Sequence, residues 1–223
     1  MSDDDLLAEQ RRYYAARAGE YEDWWFRRNS FALEPEAKAR WDADVAETEA
    51  ALAEFGAVGD VLELAAGTGL WTRHLARTAD RVVAVDANAE PLELNRARTD
   101  GPVEYVVADL FAWEPEERAF DLCFFGYWLS HVPAARFEAF WQLVRSALRP
   151  GGRVFLVDSN VPEPRNSSVD HHGEVRWLQD GRRFRIVKHY WAAEELAARV
   201  APLGFALDLA ASTAGHILYG GGR

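Results

Sequence analysis

The chain has 223 residues, of which 49% are hydrophobic, and a formal net charge of −11. That length suits one α/β domain with a small appended cap. The acidic balance disfavours a nucleic-acid substrate, because a phosphate backbone needs a basic face. One cysteine, Cys123, excludes an intramolecular disulfide and fits a reducing compartment.

Residues 1–41 carry charge and aromatics, as in YYAARAGEYEDWWFRRNSF, without a strand pattern, and read as an N-terminal cap or lid. The N-terminus MSDDDLLAEQRRYY has no basic segment leading into an apolar one, so no signal peptide is expected. No apolar run reaches the roughly 18 residues of a membrane span. A cytoplasmic, soluble protein is the expectation.

The main domain is read as 42–223. A helix is predicted from Asp42, with Val45, Leu52 and Phe55 on one face and Gly56 ending it. Short apolar runs then recur at 60–65, 81–86, 103–109, 121–127 and 153–159, with helical patterns between them. The clearest helix is 134–148, placing Phe137, Phe140, Val144 and Leu148 together before RPGG stops it. Strands apolar on both faces that alternate with helices predict a parallel sheet covered on both sides.

The last third differs. Residues 161–173 form a Pro/Ser/Asn loop, and Asp180-Gly181 suits a type I′ hairpin turn. Loop and hairpin, 161–190, read as an insertion near the ligand edge. A helix at about 192–203 and two final strands complete the chain.

VLELAAGTGLWT (61–72) is a strand, a small-residue turn and a helix start, which presents backbone N–H groups to a ligand. A phosphate loop would need Gly-Lys-Ser/Thr, which is absent. A dinucleotide fingerprint would need glycine three residues after Gly69, where Thr72 stands. Asp86 ends the second run, where a carboxylate accepts from both hydroxyls of a ribose. Asp109 ends the third, placed for an adenine amino group, with Leu110 and Phe111 to cover the ring. Each Asp alone is slightly better read as a helix cap; the ordered set points to adenosine.

VLELAAGTG, VVAVDAN, VVADLF and LRPGGRVFLVD resemble the successive motifs of class I S-adenosylmethionine-dependent methyltransferases of small-molecule type, over roughly residues 45–160. The resemblance implies a Rossmann-like α/β fold with a seven-stranded, mostly parallel sheet, order 3-2-1-4-5-7-6, the last strand antiparallel. It implies S-adenosylmethionine as cofactor and S-adenosylhomocysteine as product. The implied cofactor residues are Glu63, Ala65, Gly67, Gly69 and Trp71 in the first motif. Asp86 and Ala87 follow in the second, Asp109, Leu110 and Phe111 in the third, and Phe125, Gly126 and Trp128 in the fourth. Ala65 departs from the family, which often has glycine there. The N-terminal segment resembles a cap whose tyrosine closes over the cofactor. Tyr14 and Tyr21 are expected to share a helix face with Trp25, either against the sulfonium or, equally, as a staple of the cap onto the core, and Tyr14 is a candidate catalytic residue as well.

FFGYWLSHVP follows the fourth strand. Gly126 permits close approach and Tyr127 and Trp128 offer aromatic walls. His131 is the candidate general base, because its ordinary pKa lies near neutrality; the alternative is a structural histidine bonded to a loop carbonyl. Ser130 reads as a helix cap, and Cys123 as buried and inert. Adjacent His171 and His172 rarely chelate one ion, so no metal is expected. Arg176, Trp177, Arg183, Lys188 and Tyr190 form either a wall of the acceptor pocket or a solvated face. The leading reading is O- or N-methylation of a small aromatic or heterocyclic metabolite. The alternatives are a non-catalytic cofactor-binding regulator and methylation of a macromolecule, tRNA or protein. Oligomeric state is open.

Overall fold

The computed structural model describes residues 3–160, 167–170 (backbone alone) and 173–223. Five strands run parallel: β1 (Asp60–Leu64), β2 (Arg81–Asp86), β3 (Val103–Val107), β4 (Phe120–Gly126) and β5 (Leu148–Ser159). After a small separate sheet of β6 (Ser167–Asp170), β7 (Gly173–Trp177) and β8 (Arg183–Ile186), the chain returns with β9 (Leu207–Ala211) and β10 (Ile217–Gly222). The main sheet has the order β3-β2-β1-β4-β5-β10-β9, and β10 is antiparallel to both its neighbours. Counted within that sheet alone, this is the expected 3-2-1-4-5-7-6 arrangement.

The apolar runs are continuous because both faces of the sheet are buried. Leu62, Val83, Cys123, Phe125 and Leu156 turn to one face, under α6 (Phe137–Ala147) and α7 (Ala193–Val200). Val61, Val82, Leu122, Phe124 and Phe155 turn to the other. There they meet Trp41 and Leu52 of α3 (Pro35–Phe55) and Leu75 of α4 (Thr72–Leu75). Each such side chain contributes about 1.5–3 kcal/mol by leaving water. Cys123 is fully buried mid-strand, and burial pushes its thiol pKa upward.

Several boundaries differ from the sequence reading, each for a local reason. α3 begins at Pro35 rather than Asp42, because proline is pre-set for the first helical position; the helix therefore runs across the expected cap boundary at residue 41. Leu148 leaves α6 and opens β5. It pairs with Phe120 before Arg149–Gly152 loop out and pairing resumes at Leu122–Arg153. The N-terminal segment breaks at residues 18–20 into α1 (Asp3–Arg17) and α2 (Tyr21–Trp25), so Tyr14 and Tyr21 stand on different helices.

The hairpin is present, but its turn is not type I′. Asp180 lacks the required positive φ. Instead the Leu178 N–H bonds to Arg182 O (3.0 Å) and the Gly181 N–H to Leu178 O (2.9 Å). This leaves a three-residue loop closed by Gly181 at φ +84. Part of the expected 161–173 loop is a third strand, β6, antiparallel to β7. His171 and His172 lie outside the described residues.

Candidate active site

A cavity open to solvent lies at the C-terminal ends of β1–β4, beneath α1 and α2. Three strand ends supply one side. After β1, Ala65, Gly67 and Thr68 line it; after β2, Asp86, Ala87 and Asn88; after β3, Asp109, Leu110 and Phe111. Gly126, Tyr127, Trp128 and His131 follow β4. Leu7, Gln10, Arg11 and Tyr14 of α1, with Ala18 and Tyr21 beyond it, form the roof.

The turn after β1 is held by Asp86. Its Oδ2 accepts from the Gly67 N–H (3.0 Å) and its Oδ1 from the Asn88 N–H (2.9 Å). Burial raises the Asp86 pKa to about 6, against the lowering effect of those N–H groups. Beneath it Glu63, fully buried, is pushed up to about 8 by burial and by the Asp86 charge, opposed by Thr72. Glu63 Oε2 has no partner among the described residues. Asp109 accepts from the Phe111 N–H (3.1 Å) through Oδ1 and pairs with Arg11 of α1 through Oδ2.

Two non-glycine residues on this rim hold left-handed backbone: Ala65 (φ +55) and Tyr127 (φ +54). Each costs on the order of 1–2 kcal/mol, and such outliers concentrate where a fold shapes a ligand site. The Tyr127 turn is pinned by its N–H on Val157 O (2.7 Å).

The remaining wall centres on a buried pair. Tyr14 OH lies 2.7 Å from His131 Nε2, and His131 Nδ1 lies 2.7 Å from Val187 O. A carbonyl only accepts, so Nδ1 carries the proton and Nε2 accepts from the Tyr14 hydroxyl. Burial holds His131 well below its ordinary pKa, helped by Lys188, Arg176 and Arg17. Burial likewise keeps Tyr14 protonated, its pKa raised well above 10.

Of the expected site residues, Tyr14, Tyr21, Ala65, Gly67, Asp86, Ala87, Asp109, Leu110, Phe111, Gly126, Trp128 and His131 all face this cavity. Trp25, Glu63, Gly69, Trp71 and Phe125 do not line it. Trp25 packs edge-on to Trp41, Trp71 and Tyr127, and so staples the cap to the core. A Cβ on Gly69 would sit 2.5 Å from Asn95 Oδ1, so this glycine lets α5 (Ala89–Arg98) approach the turn. A Cβ on Gly126 would meet Trp71 Cδ1 at 2.7 Å. Its smallness serves packing from below as well as the cavity above. Phe125 is a core residue against Phe140 and Trp141.

Ser130 is not a cap: its hydroxyl accepts from Lys188 Nζ (2.8 Å). Lys188 and Arg176 are buried rather than a solvated face. Lys188 lies 3.6 Å from Asp158, and Arg176 forms an ion pair with Glu174. Both stand behind the Tyr14–His131 wall instead of lining the cavity. Gln10 and Arg11 were not anticipated from sequence. The signal was available, since Leu7, Gln10, Arg11, Tyr14 and Ala18 share the 3-4 spacing of one helix face.

The residues present fit an adenosine-bearing sulfonium. A Cβ on Gly67 would meet nothing nearer than Ala65 O at 3.9 Å, so the turn leaves a cradle open to the cavity. Asp86 and Asp109 stand at the ends of neighbouring strands, and apolar Leu110 and Phe111 line the cavity beside Asp109 and pack on the core.

A family model described as a methyltransferase domain matches residues 61–152. A solved structure described as a DhpI-SAM-HEP complex is 39% identical, covers all of both chains and has a TM-score of 0.80. A DhpI-SAH complex is 40% identical over all of this chain and 98% of that one, with a TM-score of 0.77. A demethylmenaquinone methyltransferase from Clavibacter sepedonicus is 35% identical over 104 residues, which span 46% of this chain and 42% of that protein. With full-length relatives of this identity, and the sheet order and cavity described above, the chain belongs to the class I S-adenosylmethionine-dependent methyltransferases.

Proposed function

We propose that the enzyme methylates an acidic O–H or heterocyclic N–H of a small aromatic acceptor held between α1, α2 and the turn after β4. The single observation that carries this reading is the Tyr14–His131 pair on the cavity wall. S-adenosylmethionine supplies an electrophilic methyl group. Asp86 and Asp109 hold the nucleoside, and the Ala65–Gly67 turn leaves space for the sulfonium side.

In this reading the acceptor proton moves to Tyr14 Oη while the Tyr14 proton moves to His131 Nε2. His131 ends as imidazolium, with Nδ1–H still on Val187 O. Three cations act on that imidazolium, so complete protonation is costly. The pair is therefore a weak base. It suits phenols, enols and heterocyclic N–H groups, or acceptors that arrive as anions; the same cations favour the anion that forms. An aliphatic alcohol needs a stronger base. Tyr21, Phe111, Tyr127 and Trp128 offer flat apolar surfaces for a ring.

The test is transfer of labelled methyl from S-adenosylmethionine to panels of phenols, heterocyclic N–H compounds, organic acids and aliphatic alcohols. Label in the phenol or N–H panel supports the reading. Label confined to aliphatic alcohols overturns the weak-base assignment.

A further inference from the structure

One side chain joins three segments at the base. Gln10 is nearly fully buried on α1. Its Oε1 accepts from the Val187 N–H (3.0 Å), and its Nε2 donates to His131 O (3.2 Å). Val187 O in turn accepts from His131 Nδ1 (2.7 Å). Gln10, Val187 and His131 thus close a ring of hydrogen bonds linking α1, the segment leaving β8, and the turn after β4. The His189 N–H on Ser130 O (2.8 Å) runs the same two segments side by side. Tyr14 stands four residues after Gln10, on the same helix face.

We propose that Gln10 is a positioning residue. By holding Val187 it fixes His131 in the Nδ1–H form, so that Nε2 presents its lone pair to Tyr14 only while α1 is docked. This rests on the reading of His131 as the base. Val187 has one N–H and one carbonyl facing this ring. The two groups belong to successive peptide units that meet at the Val187 Cα, so an N–H without its acceptor leaves Val187 unanchored on that side and lets its carbonyl shift off Nδ1. The imidazole then has no fixed acceptor to select its tautomer. An Nε2–H imidazole is no base toward Tyr14. One helix face therefore delivers both the relay hydroxyl and the strut that readies its partner. Roof closure and base assembly become one event, which also keeps the base idle while the cavity stands open.

The experiment is nitrogen NMR of the His131 ring in the complex with S-adenosylhomocysteine, for wild type, Gln10→Met and Gln10→Glu. Gln10→Met keeps size and helix propensity and removes both bonds. Its ring should show a mixed or Nε2–H population, where wild type shows Nδ1–H alone. Gln10→Glu retains an acceptor for the Val187 N–H and should keep the wild-type tautomer. Its carboxylate also faces a ring surrounded by Tyr14 and Arg17 from α1, Arg176 from β7, Lys188 after β8 and, behind Lys188, Asp158 of β5. The pH at which the ring protonates should therefore rise by about one unit. An unchanged tautomer in Gln10→Met overturns the proposal. So does an unmoved titration in Gln10→Glu, which decides the matter even if Gln10→Met does not fold. The base reading fails separately, if His131→Asn keeps full turnover, and that outcome leaves the ring measurement intact.

Discussion

At the cofactor edge, each carboxylate is tied to backbone close by in the chain. Asp86 accepts from Asn88, two residues on, and from Gly67 on the neighbouring strand end; Asp109 accepts from Phe111. The acceptor wall is built the opposite way. Tyr14 meets His131 across 117 residues, and Gln10 meets Val187 across 177. The edge is part of the sheet and exists whenever the sheet does. The wall exists only when a two-helix roof, a turn and a three-stranded sheet are docked together. That docking combines buried side chains, among them Leu7, Tyr13, Trp24 and Trp25, with part-exposed ion pairs: Arg11 with Asp109, Arg136 with Asp4, and Arg98 with Glu22. Such ion pairs are individually worth little. Binding and chemistry should therefore be separable by mutation.

The sharpest break of that contrast comes from the wall. Tyr14→Phe and His131→Ala should each lower turnover about a hundredfold, within the usual range for proton-transfer groups, with S-adenosylhomocysteine affinity kept within about threefold. Equal loss of affinity in calorimetry would mean that wall and edge are one unit. At the edge, Glu63 offers the next test. Its folded pKa of about 8 lies above its unfolded value, so the native state holds a proton that the unfolded chain releases. Stability should fall as pH rises from about 4.5 to 8, by up to about 1.4 kcal/mol per unit. Glu63→Gln should flatten that slope in denaturant titrations; an unaltered slope would remove Glu63 as its source.

Gly126→Ala forces a methyl against Trp71 and should cost about 1–3 kcal/mol of stability. A loss in thermal unfolding below 0.5 kcal/mol would show that the indole simply shifts aside. Asp86→Ala should weaken S-adenosylmethionine binding at least tenfold, about 1.4 kcal/mol. If Asp86 holds the ribose, as proposed, it does so ionised; with its pKa raised to about 6, wild-type affinity should drop about tenfold from pH 7 to pH 5. Asp86→Asn should lose that dependence; retaining it would assign the titration elsewhere. The smallest effect belongs to Ala65→Gly. Relief of φ +55 outweighs the extra flexibility of the unfolded chain by about 0.5 kcal/mol. A destabilised variant would show that the methyl group makes a contact worth more than the strain.

The same division explains what could be read in advance. The strands of the main sheet and the residues at Gly67, Asp86 and Asp109 were legible because each signal is local: an apolar run, a small-residue turn, an acid at a strand end; the strand order followed only from the family resemblance. Trp25 and Trp71 were misplaced because aromatic residues near a cofactor motif look alike whether they face the cavity or the core. Only the packing of Trp25 on Trp41 decides it. Gln10 was missed although its spacing to Tyr14 was visible, since a glutamine on a helix has no preferred partner until Val187 arrives from the far end of the chain. Lys188 read as a possible solvated face because its acid, Asp158, stands on a distant strand; Arg176 and Glu174, two apart on β7, share a face, and that pair was open to reading from the strand period.

The indoles of Trp24, Trp25, Trp41 and Trp71 form a connected chain with centroid spacings of 5.6–5.9 Å. Two belong to α2 and two to the body of the domain. Rings at that spacing exchange excitation, so the couplings of Trp24 and Trp25 to Trp41, and of Trp25 to Trp71, exist only while α2 is seated. The enzyme thus carries a built-in reporter. Near-ultraviolet circular dichroism follows seating of the roof in unlabelled protein, with or without an acceptor, and times its closure independently of methyl transfer.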